Sequence, residues 1–292
     1  MSIRNPIEWT AEALGVTNPG QPTSRTRPAS TPLSAPPKVR RIGLADLQAS
    51  LKAGYEDFQQ HRTDVVFLCL FYPVLGLLLA RLASGTDFLP LVFPLASGFA
   101  LLGPLAGIGL YEMSRRREQG LPASWTNAFA VTRNPAFGSI LALGALLFAV
   151  YLLWLLVAWG IYTITLGTEP ILSIGDFVRD VFTTSQGWTM IILGMAAGFL
   201  FACVVLTITA VSFPMLLDRN VGLARAVATS IEVVRLNPRP IAAWGLIIAA
   251  GLLLGSIPAF VGLILVLPVL GHATWHLYRR VVHADSGTTS GP

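Results

Sequence analysis

The sequence predicts an all-α membrane protein, a polytopic helix bundle of about six transmembrane helices joined by interfacial amphipathic helices. Three observations predict it. Hydrophobic residues make up 53% of the 292 and charged residues only 12%, with mean hydropathy +0.65, whereas a soluble domain needs roughly 25% charge to keep its surface in water. The apolar residues are gathered into runs long enough to cross hydrocarbon, and the basic residues fall on alternate connections between those runs. A net charge of +5 spread this way sets membrane orientation and gives no nucleic-acid-binding surface.

Residues 1–39, rich in Pro, Ser, Thr and Gly, cannot bury enough apolar area to offset chain entropy and read as a disordered tail. Within it, 3–14 carries Ile7, Trp9 and Leu14, enough for a turn or two of helix. A membrane domain over 40–282 follows, then a disordered tail over 283–292. Six apolar stretches occupy 65–83, 88–112, 137–163, 188–217, 241–257 and 259–278. A span needs about 20 residues to cross about 30 Å at 1.5 Å per residue. The third is the clearest, with no charge and 14 Leu, Ile, Val or Phe over 137–162. The last two form one uncharged run, which as a single helix would reach about 57 Å. A hairpin or a re-entrant loop turning at Gly255, Ser256 and Pro258 resolves the excess length.

Fifteen Lys and Arg fall on one side of this arrangement, from Lys38 to Arg280, against Arg81 and Arg179 on the other. The basic side is therefore expected in the cytoplasm, with both termini there. Each basic connection reads as an amphipathic helix. The first has a stripe of Leu44, Leu47, Leu51, Tyr55 and Phe58 with Asp46, Lys52, Glu56 and Asp57 off it. The second has Trp125, Ala128, Phe129 and Thr132 after Ser124, and the third has Leu223, Val227, Ile231 and Val234. Asn134-Pro135 and Asn237-Pro238 stop the last two. The pattern of interfacial helix, span, span thus recurs three times, an internal repeat. On the opposite side, Ser173 and Asp176 make a capping pair ahead of Ile174, Phe177, Val178, Val181 and Phe182, which predicts another interfacial helix.

Small-xxx-small pairs, Gly103 with Gly107, Gly194 with Gly198 and Gly251 with Gly255, are expected to pack helices, because lipid solvates Leu as well as protein does and close approach must supply the attraction. Prolines 90, 94 and 104 with Gly98, Gly103 and Gly107 mark the second span for a discontinuous helix. Arg115, Arg116 and Arg117 at its foot are candidates for anionic lipid headgroups or for plain topology anchoring.

Catalytic signatures are missing: there is no phosphate-binding glycine loop, nucleophile elbow, paired-cysteine metal spacing or metalloprotease helix. Cys69 and Cys203 lie inside apolar runs as small hydrophobes. One constellation stands out. His272 and His276 share a helix face at i and i+4, a spacing that serves a metal, a haem iron or a hydrogen-bonded interhelical role. His272 falls about two turns inside the edge set by Arg279, where an imidazole requires a partner.

Four stretches in order, Ile42-Gly43-Leu44-Ala45-Asp46-Leu47, Phe71-Tyr72-Pro73-Val74-Leu75-Gly76, Gly109-Leu110-Tyr111-Glu112-Met113-Ser114-Arg115-Arg116 and Leu267-Pro268-Val269-Leu270-Gly271-His272-Ala273-Thr274-Trp275-His276, resemble the bacterial family of predicted integral membrane proteins termed domain of unknown function 2189. The resemblance spans about 40–282 and implies a membrane location without a mechanism. Members are sometimes labelled cytochrome c oxidase subunits, which would bring haem to His272 and His276, yet the oxidase core's larger histidine set has no counterpart here. The expectation is a non-enzymatic inner-membrane scaffold or accessory subunit that needs no cofactor. It would touch the bilayer, anionic headgroups and a membrane-protein partner, and no nucleic acid. A transporter or lipid-handling protein is the alternative, and a haem- or metal-binding redox subunit the third reading.

Overall fold

The computed structural model describes residues 37–60, 74, 81, 90–124, 131–167, 173–258 and 260–283. In chain order its elements are β1 (Lys38–Val39), α1 (Leu44–Gln60), α2 (Val92–Leu101), α3 (Gly103–Ala106), α4 (Ile108–Glu118), α5 (Phe137–Thr165), α6 (Ile174–Thr183), α7 (Ser185–Thr209), α8 (Ser212–Asp218), α9 (Leu223–Leu236), α10 (Pro238–Ser256), α11 (Leu263–Val281) and β2 (Val282–His283). The expected N-terminal tail through residue 36, the first apolar stretch save Val74 and Arg81, Cys69, and the helix face of Trp125, Ala128 and Phe129 lie outside the described residues.

The fold is an all-α membrane bundle. Among the described residues four helical stretches are long and apolar enough to cross a bilayer: Val92–Glu118, Phe137–Thr165, Ser185–Asp218 and Pro238–Ser256. The first of these is discontinuous, broken at Leu102 and Gly107, where Pro104 opens the single turn of α3. Proline lacks the N–H that would continue the ladder, and the Gly107 N–H closes the turn on the Gly103 carbonyl at 2.9 Å. Helix α5 turns Ile140, Leu143, Leu147 and Trp154 inward and leaves Leu141, Phe148, Leu152, Leu156 and Trp159 exposed. Its Trp154 Nε1 donates to the Pro94 carbonyl at 2.9 Å, tying α5 to α2. Helix α7 exposes Ile192, Met195, Phe199, Leu200 and Val204, the pattern of a surface solvated by lipid tails.

The sixth expected stretch differs from these four. It forms α11, antiparallel to α10 after a turn in which Phe260 takes a left-handed φ of 66°. Its second half is buried against its own chain, with Gly271, His272, Ala273, Trp275, Leu277, Tyr278 and Val281 all inward. Helix α1 runs along it on one side and α4 on another, and the buried α8 completes this end of the bundle with Phe213, Met215 and Leu216 at 0% exposure.

On two amphipathic helices the line buried against the protein differs from the apolar stripe seen in sequence. On α1 the buried residues are Leu47, Ser50, Gly54, Asp57 and Phe58, while Leu44 and Tyr55 are 65% and 47% exposed. On α9 they are Ala226, Thr229, Ser230 and Val233, with Leu223, Val227, Ile231 and Val234 as half-buried flanks. In both cases small or hydrogen-bonding side chains take the inner line because they let helix backbones approach. Ser230 Oγ donates to the Thr207 carbonyl at 2.7 Å and Ser212 Oγ to the Ala226 carbonyl at 3.1 Å.

The two Asn-Pro stops perform one task twice. Asn134 Nδ2 donates to the Leu217 carbonyl at 3.0 Å. Asn237 Oδ1 accepts from the Ile42 N–H at 2.8 Å, and its Nδ2 donates to the Arg40 carbonyl at 3.1 Å. The second of these seats the strand pair, in which Lys38 lies opposite His283 and Val39 opposite Val282 in antiparallel register. The folded body thus takes in Lys38, Val39 and His283, just outside the 40–282 boundary expected from composition.

Candidate functional site

Three helices meet at two close approaches. A Cβ on Gly54 of α1 would lie 2.5 Å from the Ala273 nitrogen and 2.7 Å from its Cα, and one on Gly271 would lie 2.4 Å from Leu110 Cδ1 of α4. At the first contact, backbone against backbone, only glycine lets α1 and α11 come this near, while Gly271 leaves room for the Leu110 side chain of α4. One turn beyond Gly54 is Asp57; one turn beyond Leu110 is Ser114, with Arg117 and Glu118 a further turn on; His272 and His276 flank Ala273. The two contacts therefore carry these polar side chains to one point.

Asp57 is the hub and is 3% exposed. Its Oδ2 accepts from Ser114 Oγ at 2.6 Å and pairs with His276 Nε2 at 2.9 Å, while Arg117 Nη1 forms an ion pair with Oδ1. Ser114 Oγ also meets His272 Nδ1 at 2.7 Å, and that nitrogen is 3.8 Å from Asp57 Oδ2. An ionised carboxylate can only accept, so beside Arg117 it draws donors from both Ser114 and His276. Ser114 has one proton and directs it to Asp57, which leaves Nδ1–H of His272 as the donor to Ser114. This hydrogen-bond chain supplies the partner that a deeply placed imidazole requires; His272 is 1% exposed.

Outward from the hub a recess of about 210 Å³ opens, lined by Ala53, Glu56, Asp57, Ser114, Arg117, Glu118 and His276. Its rim continues into a second network. Glu118 accepts from Trp275 Nε1 at 3.0 Å and from Arg279 Nε at 2.9 Å. Arg279 Nη1 lies 3.4 Å from Asp218 Oδ2, which also accepts the Tyr278 hydroxyl at 2.6 Å. Buried Glu112 pairs with Arg115 at 2.8 Å and Arg116 at 3.0 Å. All three arginines singled out in the sequence are thus held in ion pairs within the chain.

The chemistry this arrangement offers is proton exchange and helix clasping. Ser114, 1% exposed with its oxygen engaged by Asp57 and His272, presents no open nucleophile. Among the described residues no group of three or more His, Cys, Asp or Glu side chains is placed to hold a metal ion. Of the two histidines, His276 gives its Nε2 to Asp57 and His272 its Nδ1 to Ser114, so both rings are engaged in hydrogen bonds within the chain.

The six glycines expected to pack helices divide. Gly251 faces Val266 and Leu270, and Gly255 faces Leu263, both across the α10–α11 hairpin; Gly198 meets Trp154, and Gly107 meets Tyr111 in the helix it leads. Among the described residues, nothing lies within 4 Å of a Cβ built on Gly103 or Gly194. The sequence reading passed over Gly54, Asp57, Ser114, Glu118 and Gly271. One signal for α1 was present: Leu47, Ser50, Gly54 and Asp57 follow a 3-4-3 spacing, but it is carried by small and polar residues.

No curated protein and no solved structure matches the chain. Asp57, His272 and His276 lie outside the stretch that a family model covers, a stretch also shorter than the 40–282 over which the sequence resemblance ran, whereas Ser114, Arg117 and Glu118 lie within it. Residues 92–218 match the model of the family described as predicted integral membrane protein (DUF2189).

Proposed function

We propose that the chain is a non-catalytic scaffold or accessory subunit of the bacterial inner membrane, with its basic end and both termini in the cytoplasm, where it holds anionic headgroups and a membrane-protein partner. The observation that carries the reading is the sorting of charge at the basic end. Asp57, Glu112 and Asp218 turn inward onto Arg117, Arg115, Arg116 and Arg279, while Arg41, Lys52, Arg133, Arg235 and Arg239 stay exposed. Three acids turned inward and five bases left outside, against exposed Glu56, Glu118 and Glu232, leave a cationic rim. Arg133, Arg235 and Arg239 flank the two Asn-Pro stops at the feet of α5 and α10, at headgroup depth, and each contributes on the order of 1 kcal/mol beside an anionic leaflet. Headgroup contact accordingly moves from Arg115, Arg116 and Arg117 to these three. The pairing of β1 with β2 supports an even number of crossings, since it holds the two ends of the folded body together.

The test is lipid retention on purification. The wild-type chain in mild detergent should keep phosphatidylglycerol or cardiolipin, and the Arg133→Gln, Arg235→Gln, Arg239→Gln triple variant should lose most of it while melting at the same temperature. Equal retention by both would remove the cationic rim from the account. A second reading, transport, draws on the broken α2–α4 span ending beside a titratable recess. Proton or solute flux in proteoliposomes that disappears in Asp57→Asn would favour it over the scaffold.

A further inference from the structure

Helix α6 lies between α5 and α7 at the end of the bundle opposite the arginines, and neither the recess nor the cationic rim involves it. Its N-terminus is capped by Ser173, whose Oγ accepts from the Asp176 N–H at 3.1 Å and donates to the Asp176 carboxylate at 2.8 Å. Its C-terminus turns directly into α7 at a corner with little freedom. Thr184 Oγ1 accepts from the Gly187 N–H at 3.0 Å and donates to the Asp180 carbonyl at 2.6 Å, and Trp188 Nε1 donates to the Phe182 carbonyl at 3.0 Å. A Cβ on Gly187 would lie 2.3 Å from the Val181 carbonyl oxygen. The helix is therefore fixed on the end of α7.

Only part of its apolar face is used by the protein. Val181 is buried and the Phe177 ring lies 6.5 Å from that of Tyr162. Ile174, Val178 and Phe182, spaced i, i+4, i+8, are 50%, 45% and 58% exposed. This stripe runs on into Trp188, Ile192, Met195 and Phe199 of α7, which are exposed in a helix long and apolar enough to span a membrane. The opposite face carries Asp176, Arg179 and Asp180, ion-paired among themselves and exposed or nearly so. The continuity identifies the occupant as lipid, and the charge sets the kind of contact: with two acids against one base, α6 has no attraction for anionic headgroups.

We propose that α6 is a docking helix for the leaflet distal to the basic end, inserted at headgroup depth through Ile174, Val178 and Phe182 and held by apolar contact alone. The two ends of the protein would then grip the bilayer by different means, charge at one and apolar insertion at the other.

The test uses the full chain with Cys69→Ala and Cys203→Ala, carrying a single cysteine at Val178→Cys, Phe182→Cys or Asp176→Cys labelled with an environment-sensitive fluorophore. Each is reconstituted in vesicles of phosphatidylcholine with or without phosphatidylglycerol. The probes at 178 and 182 should be quenched several-fold more than that at 176 by shallow nitroxide lipids, and several-fold less by aqueous iodide. The values should be unchanged by phosphatidylglycerol or high salt. Equal access of iodide to 176 and 178 would overturn the proposal. So would lipid quenching that requires phosphatidylglycerol, or shielding of 178 and 182 from both quenchers, which would mean a second copy or a partner protein covers the stripe. Because 178 and 182 are both exposed, one folded variant of the two suffices.

Discussion

Helices α5 and α7 on one side of the bundle and α11 on the other are built from opposite sequences for opposite surroundings. The 29 residues of α5 bury six, and the 25 of α7 bury three. The 19 residues of α11 bury nine, among them His272, Trp275 and Tyr278, and α11 is not among the stretches apolar enough to count as a span. Both of these long apolar helices are covered by the protein far less than the shorter, more polar α11. In water the relation would be reversed. In a bilayer the tails solvate Leu as well as a protein core does, so hydropathy drives insertion while association needs close backbones and satisfied polar groups. Composition thus marks where the chain meets lipid, and small and polar residues mark where it meets itself.

The sharpest way to break this comparison is Asp57→Ala. It leaves Arg117, Ser114 and His276 without their acceptor, and removing one partner of a buried ion pair costs about 3–5 kcal/mol. A large fall in the denaturation midpoint in detergent is expected, with Asp57→Asn falling less because the amide oxygen still accepts from Ser114. A midpoint within experimental error of wild type for Asp57→Ala would remove the three-helix junction from the stability of the fold. Next comes Gly54→Val, which drives a branched side chain into the Ala273 backbone. Overpacking of this kind costs about 1–3 kcal/mol, and separation of α1 from α11 should appear as faster amide exchange over residues 44–60. Asn237→Ala should cost about 1–3 kcal/mol by leaving the Ile42 N–H without its partner, with fraying confined to the ribbon of β1 and β2.

These expectations follow the division between what local sequence displayed and what it concealed. The span α5 and the cap of α6 were legible because each is decided within a few neighbouring residues: an uncharged run for one, Ser173 reaching Asp176 for the other. The break near Pro104 was legible for the same reason. The site was not. His276 and Asp57 are 219 positions apart, and no spacing within α1 announces a partner in α11. The histidine pair was visible as a pair, but its partners were concealed because α1 reads as an interfacial helix with Asp57 off its apolar stripe, and nothing local turns that carboxylate toward another helix. Size ranks burial in water; beside lipid, Leu44 and Tyr55 can face outward while Gly54 and Asp57 turn in. Arg115, Arg116 and Arg117 were legible as a charge cluster, yet their destination depended on Glu112 and Asp57 being buried, which sequence position alone did not reveal.

The smallest effects should come from the lipid-facing side, and there the glycines separate two ideas of what a small residue is for. Gly194 on α7 has open space around its Cα, whereas Gly198 one turn on would place a Cβ 3.3 Å from Trp154. If small-xxx-small spacing itself mattered, alanine at either position would weaken the α5–α7 contact equally. If only the approach matters, Gly194→Ala should be neutral or stabilising by roughly 0.5–1 kcal/mol through helix propensity, while Gly198→Ala gains the same propensity and loses part of it to the crowded indole. Leu153→Ala, on the exposed face of α5, gives the baseline, with a change within about 0.5 kcal/mol expected. Measured together by reversible denaturation in mixed micelles, the order should be Gly194→Ala above Gly198→Ala. A marked loss at Gly194→Ala would mean that a partner helix lies against α7 on the side assigned here to lipid.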